Sequence, residues 1–489
     1  MVKLSFKLGL NVNVAKKELS KHAQNKWVIL ALLALAFFMV VLDVTIVNVA
    51  LPSLARELNF AANNLQWVIT AYSITFGGFL LLGGRMADLF GRREIFMWSV
   101  SFFAAASLLC GLAQSELWLI ITRGIQGLAA AFMTPTALSI VLTEFEEGKE
   151  RNKALGVWSA VTASGAAVGV LLGGILTEYL GWRWNFFVNV PVAALVVLSA
   201  AYLLPRQIGE ENKKVKLDSF GALAATGGLM ALVYALSRVP VSGWGSKSVL
   251  VFLSISVVLL AIFWRDEARS KQPLLPLALF KSRNVSGGNC IALIIAASMF
   301  AMFFFMTLYV QTILGYSPIK AGASFLIVPF IIALSAGLAS QLVSRIGYKP
   351  LLLIGPFLLS VGLFINSQIV KVGGDYWHNL APGLIVSAIG MGLSFVPLTL
   401  AATSGVPHRY SGLVSGVLNT AQQIGGAIGL AILSAVANSV TIAAVTAGKS
   451  VPEARVAGFQ SGFYIGVVFA IAAMLVAGAV LRDPNLQKR

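Results

Sequence analysis

Long apolar runs alternate with short polar breaks along the chain. Runs bounded by charge, Pro or Gly fall at 27–51, 65–84, 95–114, 117–142, 154–177 and 185–204. A polar break from Arg206 to Lys216 precedes two more runs, at 218–237 and 248–265. A second charged stretch, Asp266 to Arg283, leads to six further runs at 286–313, 320–343, 350–370, 379–402, 411–440 and 458–481. A helix needs roughly 20 mainly apolar residues to cross a bilayer. The pattern therefore predicts fourteen membrane-spanning helices, with both ends of the chain on one side.

Composition agrees. Of 489 residues 58% are apolar and only 11% charged, less than half of the ~25% usual in soluble domains. That excludes a soluble multidomain enzyme and a disordered chain. The net charge of +17 raises a nucleic-acid reading, which the placement of the 36 Lys and Arg removes. On the predicted topology 27 lie on the face bearing the termini, eight lie on the other, and Arg123 lies inside a span. This is the positive-inside asymmetry of a cytoplasmic membrane. The apolar stretch from Trp27 to about Leu51 is too long for a signal h-region and contains Asp43. Residues 1–26, with six lysines, are thus expected to remain as a basic cytosolic segment beside anionic lipid. Cys110 and Cys290 each sit in an apolar run and read as buried free thiols, with no disulfide or metal pattern. His22, His378 and His408 fall outside the expected spans.

An internal repeat organises the spans. Gly84-Arg-Met-Ala-Asp-Leu-Phe-Gly-Arg-Arg93 follows the second span, and Ser340-Gln-Leu-Val-Ser-Arg-Ile-Gly-Tyr-Lys349 follows the tenth, 256 residues on. Gly91 aligns with Gly347 and Arg93 with Lys349, while Asp88 meets Ser344. Each copy reads as a loop between the second and third spans of a six-span block. The expected organisation is a basic segment 1–26, a six-helix bundle 27–205, two inserted helices within 206–285, a second bundle 286–481 and a tail 482–489. Repeated halves with a site between them are a common plan of secondary transporters.

The energy source follows by elimination. Ala443-Ala-Val-Thr-Ala-Gly-Lys-Ser450 ends like a phosphate loop, but begins with Ala and has no strand before it. No cofactor fingerprint and no nucleophile–base pair lies in an aqueous segment, so an enzyme is not expected. Transport would draw on ion gradients, worth about 2.3 kcal/mol per charge per 100 mV.

Charges within a span cost roughly 2.5–3.5 kcal/mol each and are functional candidates by default. Asp43 lies 16 residues past Trp27, about 24 Å along a helix. Arg123 lies six residues inside the far end of the fourth span, about 9 Å deep. In a core of roughly 30 Å the two depths nearly coincide, so they can pair. Burial disfavours a charged carboxyl and a guanidinium favours it, which makes Asp43 a candidate to exchange a proton. Arg123 stays charged and acts as a fixed counter-charge. A static salt bridge that orients two helices is the alternative. The fifth span holds Gly165, Gly169, Gly173 and Gly174, a small-residue stripe suited to close helix approach.

Together these motifs resemble the major facilitator superfamily, in particular its fourteen-span drug:proton antiporters. Leu42-Asp-Val-Thr-Ile-Val-Asn-Val-Ala-Leu-Pro52 is similar to that branch's first-helix signature, and Gly84 to Arg93 to the superfamily's loop motif. Arg123-Gly-Ile-Gln-Gly127 is similar to the fourth-helix motif, and the fifth-span glycines to the antiporter motif. Trp182-Arg-Trp-Asn-Phe-Phe-Val-Asn-Val-Pro191, Tyr309-Val-Gln311 and Gly315-Tyr-Ser-Pro318 also match, so the resemblance covers residues 27–481.

The resemblance implies an all-α membrane protein of the major facilitator fold, with two six-helix bundles rocking about a cavity and two helices to the side. It implies export of small amphiphilic or cationic compounds in exchange for protons, by a monomer without cofactor. In this family the acid matching Asp88 holds the outward-facing state against a helix N-terminus of the other half, here near Ser411 and Gly412. Arg92 and Arg93 would add contacts across the same seam, with Gly84 and Gly91 shaping the turn. Two departures stand out. Val170, where the antiporter motif has Pro, follows Gly169, and the second loop copy has Ser344 where the first has its acid; no mid-span acid occurs in the seventh to fourteenth spans either.

Substrate would meet the aromatic and Met-rich run from Ser298 to Gln311, which includes Phe303. Intramembrane polar residues Asn48, Tyr72, Gln126, Gln311, Asn419 and Gln423 would line the cavity or hydrogen-bond between helices. A transporter of lipids or lipid-like amphiphiles on the same fold is the alternative reading.

Overall fold

The computed structural model describes residues 12–61, 64–145, 149–204, 219–270, 277–404 and 411–482. Long helices succeed one another: α1 Val12–Glu57, α2 Trp67–Phe90, α3 Arg92–Gly111, α4 Glu116–Glu144 and α5 Lys149–Tyr179. After one turn, Trp184–Phe187, come α6 Asn189–Leu203, α7 Ser219–Ser242, α8 Lys247–Arg269 and α9 Arg283–Leu308. A π-helical turn, Tyr309–Ile313, closes α9. The helix α10 has two parts, Pro318–Phe325 and Ile327–Ile346, and is followed by α11 Tyr348–Ile369, α12 Ala381–Thr403, α13 Ser411–Thr446 and α14 Val451–Val480. Among the described residues, eleven helices are long and apolar enough to cross a membrane. Three more carry shorter apolar stretches, Trp67–Leu80, Ser164–Tyr179 and Leu223–Val239.

Helix ends are set by local chemistry. The side chains of Ser115, Ser246 and Ser317 accept the backbone N–H three residues on, as N-caps do. Ser450 and Glu453 form a capping box, so α14 begins at Val451 rather than near 458, and the phosphate-loop-like stretch is helix end, turn and cap. The expected loops at Gly84–Arg93 and Ser340–Lys349 are mostly helix. Only Gly91 (φ 95°) separates α2 from α3, and only Gly347 (φ 78°) separates α10 from α11. A side chain rarely adopts such positive φ, which is why glycine stands at both breaks.

Hydrophobic partition does not drive helices together inside a bilayer, so close packing of small residues must contribute. A methyl group on Gly127 would collide with the Tyr72 carbonyl, which locks α4 to α2. Between α11 and α12, a methyl on Gly362 would stand 2.6 Å from the Gly383 carbonyl oxygen, and one on Gly383 equally close to that of Gly362. One core joins Leu33, Met39, Phe96, Phe103, Ala130 and Val196 within the first six helices. Another joins Phe305, Leu359, Leu384, Leu430 and Phe463 of the last six and takes in Ile46, Ala50 and Leu54 of α1.

The helix α7 packs on both α2 and α13, through Leu229 and Val233 against Trp67, Ala71 and Ile74 on one side and Ala427 and Ala431 on the other. Lys26–Glu150, Gly91, Gly347 and the Arg482 carbonyl that holds Asn284 and Tyr348 gather at one end, here the termini-bearing end. Cys110 is buried, but Cys290 is exposed on α9, where the surroundings of a membrane protein are themselves apolar. His378 is exposed in the turn before α12, His22 precedes the apolar part of α1, and His408 and the Arg206–Lys216 break lie outside the described residues.

Candidate functional site

Four helices converge on Asp43. Arg123 Nη1 donates to its Oδ2 at 2.6 Å. Gln126 Nε2 and Asn189 Nδ2 donate to its Oδ1 at 2.8 and 3.0 Å. The three carriers lie on α4 and at the first residue of α6, while Asp43 lies on α1; Ser107 of α3 completes the ring by accepting from Asn189 at 3.0 Å. Arg123 and Gln126 are three apart and so share a face of α4, and Nη1 of the former also donates to Oε1 of the latter at 2.7 Å. Arg123 Nε donates to the Val68 carbonyl at 3.0 Å, and the Cys110 thiol reaches Gln126 Oε1 at 3.5 Å.

The cluster is sealed: Asp43, Arg123, Gln126 and Asn189 are each at most 1% exposed. Tyr72 forms its floor, with its ring centroid 4.3 Å from the guanidinium carbon, a cation–π geometry. Burying two charges costs several kcal/mol per ion, and it is tolerable here because the charges pair with each other and take further bonds from Gln126, Asn189 and the Val68 carbonyl. Gln126 and Tyr72, read from sequence as cavity residues, are therefore members of the charge cluster. Asn189 and Ser107 were missed. The available signal for Asn189 was one Asn two residues before Pro191 at the start of an apolar helix.

The glycine stripe of α5 serves two partners. A methyl on Gly165 would stand 3.0 Å from Val41, one on Gly169 would collide with Thr45 Oγ1, and one on Gly173 would lie 2.9 Å from the Ile46 carbonyl oxygen. These three positions seat α5 on α1 beside Asp43. Gly174 faces elsewhere: a methyl there would stand 2.7 Å from the Pro318 carbonyl oxygen of α10. The same contact brings Gly322 of α10 against Val170, and Glu178 Oε2 accepts the Ile319 N–H at 2.9 Å. Val170 thus occupies the place of the expected proline at a contact between the two halves of the chain. The π-helical turn turns Gln311 toward α1, where its Nε2 donates to the Val49 carbonyl at 2.7 Å. The two halves therefore touch through α1–α9, α5–α10 and α2–α13.

The remaining candidates scatter. Asn48 donates to the Val44 carbonyl of its own helix at 2.9 Å, and Phe303 is half-buried against the second core. Asn419 is exposed, and Gln423 meets α2, its Cβ 2.9 Å from where a methyl on Gly77 would stand. Gly84 faces Pro135 of α4. Among the described residues Arg93 bonds within the first six helices: its Nη2 donates to the Ala201 carbonyl of α6 at 2.5 Å. Arg92 lies in the first turn of α3. The side chains of Asp88, Ser344, Ser411 and Gly412 lie outside the described residues, so the expected contact between the α2 acid and the start of α13 does too.

An all-helical membrane protein with a motif repeated between its halves and a buried charge cluster in one of them matches a known family. Residues 33–430 match the Major Facilitator Superfamily, and the chain belongs to it: it is a membrane transporter, not an enzyme. It is 39% identical to the puromycin resistance protein pur8 of Streptomyces alboniger over 93% of this chain and 90% of that protein. It is 37% identical to the cephamycin export protein CmcT of Amycolatopsis lactamdurans, over 92% of each. Among solved structures, the inward-facing, unoccupied bacterial homologue of the human lysosomal transporter Spinster aligns with a TM-score of 0.64 over 94% of this chain and 99% of that one. At 16% identity this is a likeness of fold.

Proposed function

We propose that this protein exports small amphiphilic or cationic drugs across the cytoplasmic membrane in exchange for protons. Its helices make fourteen crossings in two bundles of six and an inserted pair, with both termini cytosolic. The orientation is supported by the Lys and Arg distribution, and the cargo by relatives named for puromycin resistance and cephamycin export. The observation that carries the coupling is the carboxylate of Asp43 deep in α1, held by Arg123, Gln126 and Asn189.

A buried acid with a fixed counter-charge is suited to taking one proton per cycle, because Arg123 remains charged throughout. Asp43 has no exposed surface in the present arrangement. Exchange with water therefore belongs to the alternate arrangement, in which α5 shifts against α1 along the glycine stripe and the α5–α10 contact parts. The glycines favour that sliding because α5 presents no side chain at these positions, and only Val41, Thr45 and Ile46 of α1 must pass its backbone. The test uses everted vesicles with an imposed pH gradient. Substrate-induced proton release is expected from the wild type and absent from Asp43→Asn, a variant that keeps the side-chain shape and most hydrogen bonds. Full release by a folded Asp43→Asn protein overturns the assignment.

A further inference from the structure

A second feature of the first six helices lies away from the translocation path. A groove of about 600 Å³ runs along the outer face of α3 at the termini-bearing end. Arg93 and Glu94 stand at its head, and Met97, Trp98 and Phe102 of α3 with Val197 of α6 make its walls. The α3 residues recur at three- and four-residue spacing and so share one face. Trp98 is 72% exposed and its ring lies 5.9 Å from that of Phe102. Ser101, on the same face, turns its hydroxyl back to the Met97 carbonyl and offers the groove no donor. The groove faces outward from α3 and α6, both in the first bundle, and not into the space between the halves.

The polar head is incomplete as it stands. Arg93 spends Nη2 on the Ala201 carbonyl, and its Nε is buried without a hydrogen-bond partner among the described residues. The part of the guanidinium that lines the groove is a charged donor, and such a group matches a phosphate oxygen. The first turn of α3 adds to this: Gly91 gives no side-chain cap, so backbone N–H groups and the positive helix end face the same level. Glu94, in that turn, is exposed and makes no ion pair among the described residues. One turn further into the membrane the lining is apolar and begins about 5 Å on.

We propose that this groove binds a zwitterionic phospholipid with a free amine, its phosphate on Arg93, its ammonium on Glu94 and an acyl chain along Trp98, Phe102 and Val197. Charge order selects this headgroup. A phosphoglycerol headgroup has no cation for Glu94, and a choline headgroup has no N–H to donate to it. The site is separate from the drug path, so it stands whether or not the protein couples to protons.

The test is native mass spectrometry of the purified full-length protein titrated with dioleoyl phosphatidylethanolamine, phosphatidylcholine or phosphatidylglycerol. The amine lipid is expected to be retained about tenfold better than either of the others. Glu94→Gln is expected to bring the three lipids level while retention continues. Ser101→Trp, which fills the groove from an exposed position and leaves Arg93 and Glu94 in place, is expected to abolish retention with the thermal midpoint unchanged. Equal retention of all three lipids by the wild type overturns the proposal. So does unaltered preference in both variants, or a dimeric mass that carries no lipid.

Discussion

The first six helices and the last six share a backbone device and differ in chemistry. In each, one glycine with positive φ, Gly91 or Gly347, is all that parts two long helices at the termini-bearing end. Yet the first set holds an ion pair in its interior, fixed by amides from two helices. From residue 284 onward the sequence has three acids, Asp375, Glu453 and Asp483. Asp375 and Glu453 cap helices at the rim, and Asp483 lies outside the described residues. The interior of the last set is neutral, and its α11–α12 contact is glycine on glycine. The glycine break stands in both sets, while the buried ion pair stands in the first alone among the described residues.

Substitutions can break this contrast in descending order of effect. Arg123→Leu leaves Asp43 buried without its counter-charge and is expected to cost about 3–5 kcal/mol, read as a large fall in the thermal midpoint. Adding Asp43→Asn should recover much of that loss; no recovery means that the guanidinium acts through Val68 and Tyr72 instead. Asn189→Leu, which removes a donor to the carboxylate, is expected to cost about 1.5–3 kcal/mol. The same change in the other half should behave differently. Asn366 is buried with neither side-chain polar atom bonded, so Asn366→Leu is expected to fall within about 1 kcal/mol of neutral or to stabilise. A large loss there would show that the neutral half has polar chemistry of its own.

The shared device gives smaller effects. Gly91→Ala and Gly347→Ala each force a side chain into positive φ and should cost about 1–3 kcal/mol apiece, with similar values if the two breaks are equivalent. Smallest is the rim. Hydrogen bonds from the His378 and Trp377 backbone and the His378 ring hold the Asp375 carboxyl below its ordinary pKa. A carboxylate lowered by folding stabilises above its unfolded value, and that contribution fades as pH falls through the folded one. Amide protection at residues 376–379, taken relative to the intrinsic exchange rate at each pH, should therefore fall below about pH 4 in the wild type and show no such fall in Asp375→Asn.

Much of this was legible in sequence, because a lipid-spanning helix writes itself as an apolar run. The limits are equally physical. Helices that emerge into water acquire charges, so Gly84–Arg93 and the start of α14 read as loop although the helices continue to Gly91 and begin at Val451. Depth along a helix could be counted, which brought Asp43 and Arg123 to one level. Azimuth could not, so Gln126 and Tyr72 read as cavity wall, and Asn189 was passed over inside a motif already noticed. Cys290 read as buried because an apolar run has the same look whether it faces lipid or protein.

The helix α7 sits as a wedge over the seam where α2 and α13, which belong to opposite halves, touch each other. Any tilting of one half against the other must drag or shear that wedge, so its grip on the two neighbours enters the stiffness of the stroke itself. Substitutions on the faces of α7 toward α2 and α13 would then alter the rate of turnover without touching Asp43.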